Sequence, residues 1–273
     1  MGEWMSTVSQ GVAGGTSYLR TGSGRAVILV HGVGMDAAFW RPQIRVLAAS
    51  HDVIAFDMLG HGGSSLPPNP ARLEDYAGQL LALMDTLELE RADLVGHSMG
   101  ALVVLGFALG HPARVGRLAA LNGVYERTPA QRASVRERVV RLEAGADGEG
   151  NRATLARWFG DPVPPSLCET TEWVNAALSS VNPLGYARTY RLFAEADGAL
   201  AGRLAGLSMP TLFMTGELDP NSTPEMSRAM AEQAPHGRVV VLSGERHMMS
   251  LASPDRVNAV LSEFLLAEPD LAP

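Results

Sequence analysis

Short apolar runs alternate with helical periodicity along most of this chain. Ala26–Val30, Val53–Phe56, Asp93–Val95, Leu118–Leu121, Thr211–Met214 and Arg238–Leu242 are brief segments, rich in Val, Ile and Leu and bounded by polar residues or glycine. Runs of that length between turn residues predict buried parallel strands. Between them lie helical stretches at Ala37–Ala49, Leu73–Leu87, Met99–Leu109, Glu225–Glu232 and Asp255–Leu266. In the second of these, Leu73, Ala77, Leu80, Leu81, Met84 and Leu87 fall on one helical face. Thr223-Pro224 and Ser253-Pro254 mark helix starts. Met99–Leu109 is apolar almost all round, as a helix packed on a sheet can be. Strand–helix alternation predicts an α/β fold, a mostly parallel central sheet flanked by helices.

The rhythm breaks from about Gly123 to Gly206, where no convincing strand appears. Helical pieces at Arg132–Leu142, Ala153–Phe159, Glu172–Ser179 and Leu184–Ala194 are joined in part by a turn at Gly145–Gly150. An all-helical insertion between two strands of such a sheet is expected to cover one end of it. The expected division is a core of residues 1–122 and 207–273 with a helical cap of residues 123–206. Trp158, Phe159, Trp173, Tyr186, Tyr190 and Phe193 fall in this cap. Their plainest role is its own small core; Trp158 and Tyr190 are also candidates for a pocket wall.

Composition narrows the function. Of 273 residues, 46% are hydrophobic and 19% charged, and the net charge is −7. That balance is globular and offers no basic footprint for nucleic acid. All 22 basic residues are arginine, so lysine-based Schiff-base chemistry and the Walker A lysine are excluded. Cys168 is the one cysteine, which excludes an internal disulfide and a CxxC metal site. Neither a metal nor a cofactor is expected. No apolar run reaches about 18 residues, and the N-terminus lacks a basic segment followed by an apolar one. A cytoplasmic protein without membrane contact, monomeric or homodimeric, is therefore expected.

The chemistry is concentrated in Gly96-His97-Ser98-Met99-Gly100, which follows a strand and opens a helix. A sharp strand–turn–helix elbow needs small residues on both sides of the serine, and it lifts the hydroxyl out at the end of the sheet. Beside a helix N-terminus, developing negative charge is favoured. Ser98 is the expected nucleophile. A serine needs a base. Of seven histidines, His247 follows the last strand and precedes the last helix. Asp219, directly after the Thr211–Met214 strand, is the expected orienting carboxylate, with Glu217 its rival. The chain order Ser98, Asp219, His247 matches one of the known triad orders. Backbone N–H groups of Met99 and of Val33, in His31-Gly32-Val33-Gly34, are the expected oxyanion hole. His31 is expected to brace that loop.

These motifs, with Asp57-Met58-Leu59-Gly60-His61-Gly62, resemble the α/β-hydrolase superfamily over nearly the full chain. Within it, the chain is similar to small capped bacterial hydrolases that include 3-oxoadipate enol-lactonases, meta-cleavage-product hydrolases and pimeloyl-ester esterases; Leu184-Gly185-Tyr186-Ala187 and Thr223-Pro224 carry the enol-lactonase likeness. The resemblance implies a serine hydrolase that cleaves a small carboxylic ester or lactone through an acyl-enzyme. Carbon–carbon hydrolysis of a vinylogous diketone, acyl transfer to an alcohol, and a ligand-binding protein with little turnover are the other readings. Arg188 or Arg191 could pair with a substrate carboxylate, and Met248 is a further candidate contact beside the base.

Overall fold

The computed structural model describes residues 8–144 and 150–267. Its centre is an eight-stranded sheet. The strands are β1 (Ser9–Ala13), β2 (Thr16–Gly22), β3 (Arg25–Val30), β4 (His51–Phe56), β5 (Ala92–His97), β6 (Val115–Leu121), β7 (Thr211–Gly216) and β8 (Gly237–Leu242). Their spatial order is β1-β2-β4-β3-β5-β6-β7-β8. Pairings from β4 through β8 are parallel, and β1 and β2 add an antiparallel edge.

All six apolar runs are strands. The hairpin of β1 and β2 was not anticipated. Its strands are half-exposed at the sheet edge and carry mixed polar residues, so they lack a continuous apolar run. The signal present is Gly14-Gly15, whose φ angles of 55° and 80° close a two-residue turn between Ala13 and Thr16.

The flanking helices are α1 (Arg41–Leu47), α2 (Leu73–Thr86), α3 (Met99–Gly110), α8 (Pro224–Gln233), α9 (Met249–Ala252) and α10 (Pro254–Leu266). The stretch foreseen as Ala37–Ala49 begins as a 3-10 turn at Ala37–Trp40, because the Asp36 carboxylate caps the Ala38 N–H. α3 is buried on nearly every side because β3, β5, β6 and α2 all pack against it.

Between β6 and β7 the described residues hold helices and no strand: α4 (Pro129–Glu143), α5 (Gly150–Phe159), α6 (Cys168–Ser180) and α7 (Pro183–Glu195). Apart from Gly150, the turn foreseen at Gly145–Gly150 lies outside the described residues. α4 opens with a capping box, in which Thr128 accepts from the Gln131 N–H and Gln131 reaches back to the Thr128 N–H. Asn182 caps α7 through the N–H groups of Leu184 and Gly185.

These helices form a cap that meets the core at two glycine contacts. Gly185, in the first turn of α7, lies so close to Gly60 that a Cβ on Gly60 would sit 2.6 Å from the Gly185 Cα. Gly34 has a φ of +84°, and a Cβ there would run into Leu178 of α6 and Tyr186 of α7.

Candidate active site

The elbow places Ser98 by backbone strain. Ser98 has φ 55° and ψ −113°, outside the ordinary regions for an L-residue. Its N–H donates to the Leu121 carbonyl at 2.8 Å, which ties the turn to β6. A Cβ on Gly96 would collide with the Gly100 carbonyl, and one on Gly100 with the Val30 and His31 carbonyls. The crossing of β3, β5 and α3 therefore requires glycine at both positions.

Ser98, His247 and Asp219 form one hydrogen-bonded line. His247 Nδ1 donates to Asp219 Oδ2 at 2.7 Å, and Nε2 lies 3.2 Å from Ser98 Oγ, placed to accept its proton. All three residues are buried. The Asp219 carboxyl is held below the usual carboxylate range. Burial works to raise it, but His247 and donors from Asn122 and Asn221 outweigh that. Asn122 Nδ2 donates to Asp219 Oδ2 at 2.9 Å, and the N–H groups of Asn221 and Ser222 donate to Oδ1 at 2.8 and 3.2 Å. Glu217 is elsewhere: it is exposed and accepts from Ser243 Oγ and the Gly244 N–H.

Asn122 and Ser222 were not foreseen. Asn122 follows β6 directly with φ 49°, a conformation asparagine tolerates. Ser222 Oγ donates to the Asn122 carbonyl at 2.6 Å, which fixes the two carboxylate-holding segments to each other. The one signal available was Asn122-Gly123 at a strand end.

The loop after β3 runs against the elbow. A Cβ on Gly32 would lie 3.1 Å from the Ser98 Cβ, and Val33 lines the cavity above Ser98. Met99 is the first residue of α3, where helix N–H groups have no carbonyl partner within the helix. Met99 thus follows Ser98 directly in the chain, and Val33 shares the cavity with Ser98.

Three other buried histidines hold loops. His31 Nδ1 bonds the Gly32 carbonyl and Nε2 accepts from the Met58 N–H. His61 Nε2 accepts from the Gly34 N–H at 2.9 Å. His97 Nε2 donates to the His247 carbonyl at 2.9 Å. Burial pushes His31 down, and it pushes His61 and His97 down to about 3. An unfolded chain would protonate these rings near pH 6.5 while the folded one does not. Their stabilising contribution is thus complete above pH 6.5 and is lost progressively as pH falls toward 3. At pH 5, His61 and His97 should each cost about 2 kcal/mol relative to pH 8. Thermal melts of wild type and His61→Gln across pH 5–8 check this: the variant should show a shallower decline.

Above Ser98 and His247 lies a cavity of about 190 Å³. That is small beside the roughly 300–1,000 Å³ of pockets for drug-sized ligands. Core and cap both line it. The cap wall carries three arginines, Arg127, Arg138 and Arg157, with Tyr186 and Tyr190. No Asp or Glu lines the cavity among the described residues. Arg138, on α4, donates to Tyr186 Oη at 3.0 Å and to Thr154 Oγ1, and its guanidinium lies 5.2 Å from the Tyr190 ring centroid. Arg157, on α5, donates to the same Thr154 hydroxyl at 3.3 Å. Burial and the neighbouring Arg138 charge both push Arg157 below the usual guanidinium range.

Trp158 and Tyr190 line the cavity, and Arg188 and Met248 do not. Arg188 points to the core, where it donates to the Pro67 carbonyl at 2.7 Å. Arg191 is exposed. Met248, at the start of α9, packs into the apolar core. α4 is highly charged in sequence, yet its Arg138 is buried and lines the cavity. Its alternating charges give no clear apolar stripe, so periodicity could not tell which arginine faces inward.

A family model described as alpha/beta hydrolase fold matches residues 25–254. The (E)-2-((N-methylformamido)methylene)succinate hydrolase of Acinetobacter baylyi is 40% identical over 253 residues, covering 92% of this chain and 94% of that protein. Among solved structures, the enol-lactonase from Burkholderia xenovorans LB400 aligns with a TM-score of 0.85 at 26% identity, over 95% of this chain and 100% of that one. A thermophilic esterase from Thermogutta terrifontis, with malate bound, aligns at 0.82 and 27% identity, over 94% and 97%.

Proposed function

The chain belongs to the alpha/beta hydrolase fold family, and from that premise we propose a serine hydrolase that cleaves an acyl bond in a small, carboxylate-bearing substrate. The bond is an ester, a lactone or an N-acyl linkage. The observation that carries the reading is the Ser98–His247–Asp219 line opening into a cavity walled by three cap arginines.

His247 takes the Ser98 proton as Oγ attacks the carbonyl carbon. The Val33 and Met99 N–H groups hold the oxyanion. His247 then protonates the leaving group, and an acyl-enzyme remains. Water, deprotonated by His247, attacks the acyl carbon and releases the acid and free Ser98. Asp219 keeps Nδ1 protonated and stabilises the imidazolium. His97 stays neutral beside His247, so it does not compete for that proton.

The substrate class follows from charge. Guanidinium groups in a partly desolvated wall favour carboxylates. The 40% identical relative is named for a succinate, and the esterase of similar fold holds malate. Both names fit a wall that reads carboxylates.

The test is a panel of aryl esters, lactones, N-acyl enamines and a vinylogous diketone, with and without carboxylates, on wild type and Arg157→Met. Carboxylate-bearing acyl compounds should be preferred. Arg157→Met should raise KM for them roughly 10- to 100-fold, the worth of a charged hydrogen bond. A neutral aryl ester should be almost unaffected. Preference for neutral substrates, or equal effects on both, would remove the anionic class. Turnover of the diketone alone would replace acyl hydrolysis with carbon–carbon cleavage.

A further inference from the structure

The cap touches the base as well as the cavity. The indole of Trp158 stacks on the His247 imidazole, with centroids 5.6 Å apart and planes 27° from parallel. The His97 ring lies 5.0 Å from the same imidazole. The ring edge is committed to Asp219 and Ser98. His247 is therefore in contact with two rings and two hydrogen-bond partners, and Trp158 is the one of these supplied by the cap.

Trp158 is next to Arg157 on α5. The end of α5 is closed by the Gly160 N–H to the Ala156 carbonyl, and Gly160 sits against the side chain of Arg246, the neighbour of His247. One helix end thus carries an arginine of the cavity wall and the lid on the base. Arg157 Nε is buried without a hydrogen-bond partner among the described residues, and the Arg138 charge repels its guanidinium. A bound carboxylate would relieve that repulsion and hold this end of α5 in place.

Resting on the serine-hydrolase reading, we propose that Trp158 is a positioning residue for His247, and that a substrate carboxylate at Arg157 reinforces it. The indole holds the imidazole in the plane that joins Asp219 to Ser98. Its π face also stabilises the imidazolium that forms when Ser98 loses its proton. Recognition of the anion and readiness of the base are linked through adjacent residues of one helix.

The test compares wild type, Trp158→Phe, Trp158→Ala, Arg157→Met and the double variant Arg157→Met/Trp158→Ala. The probes are mono-4-nitrophenyl succinate and 4-nitrophenyl acetate. With the charged ester, Trp158→Ala should lower kcat about 10- to 30-fold with little change in KM, and Trp158→Phe should restore most of it. In the Arg157→Met background the same loss should shrink to about threefold or less, as it should with the neutral ester.

A rise in KM at unchanged kcat would make Trp158 a wall contact and overturn the proposal. Equal losses in both backgrounds would overturn the link to Arg157. If Trp158→Ala does not fold, the indole decides: the fluorescence missing from Trp158→Phe should change when succinate is added to wild type, and a constant signal overturns the link. Ser98→Ala, run alongside, separates the two readings. Undiminished turnover there would remove the serine hydrolase itself, whereas its loss with normal kcat in Trp158→Ala would remove only this proposal.

Discussion

Ser98→Ala is expected to lower kcat by roughly 10⁴- to 10⁶-fold on whichever acyl substrate the wild type prefers. In the proposed mechanism the Ser98 hydroxyl forms the acyl-enzyme, and it lies 3.2 Å from His247 Nε2. Stability should change little. The elbow's bond from the Ser98 N–H to the Leu121 carbonyl is a backbone interaction that alanine keeps. The strained φ of 55° is also imposed by the surrounding glycine crossings rather than by the hydroxyl. Steady-state rates and a thermal melt on the same preparation check both halves. A residual rate within tenfold of wild type would move the chemistry to another residue.

Asp219→Asn should cost about 10⁴-fold in kcat with a nearly intact fold. The carboxylate is the acceptor that fixes the proton on His247 Nδ1. Asn122 Nδ2 and the N–H groups of Asn221 and Ser222 already donate to its two oxygens. An amide in its place must turn its NH2 either toward the N–H groups of Asn221 and Ser222 or toward His247 and Asn122. In the second case Nδ1 becomes the acceptor, Nε2 carries the proton, and the ring can no longer take one from Ser98. Glu217→Gln is the control. Glu217 is exposed and bound to Ser243 and Gly244, so its kcat should match wild type. If Glu217→Gln were the damaging change and Asp219→Asn the silent one, the assignment of the carboxylate would be reversed.

The centre of the fold was legible because a strand buried on both faces must be apolar throughout. β3, β4, β5, β6 and β7 announce themselves that way, and the glycines around Ser98 announce the elbow. β1 and β2 were hidden because they are only partly buried and carry no continuous apolar run. The cap shows a different limit. Its helices were recognisable, but which side of each helix meets the cavity depends on how the cap sits on the core. Arg188 and Arg138 look alike in sequence, yet one donates to Pro67 and the other lines the cavity. Asn122 was missed for a related reason: its partner is Asp219, 97 residues away, and only folding brings them together.

The contact between Gly60 and Gly185 bears on how firmly the cap is held to the core. Two backbones in direct touch leave no side chain that can swing aside, so the first turn of α7 is riveted to the core. Amide hydrogen exchange should report this, with the first turn of α7 protected like the sheet it is fastened to.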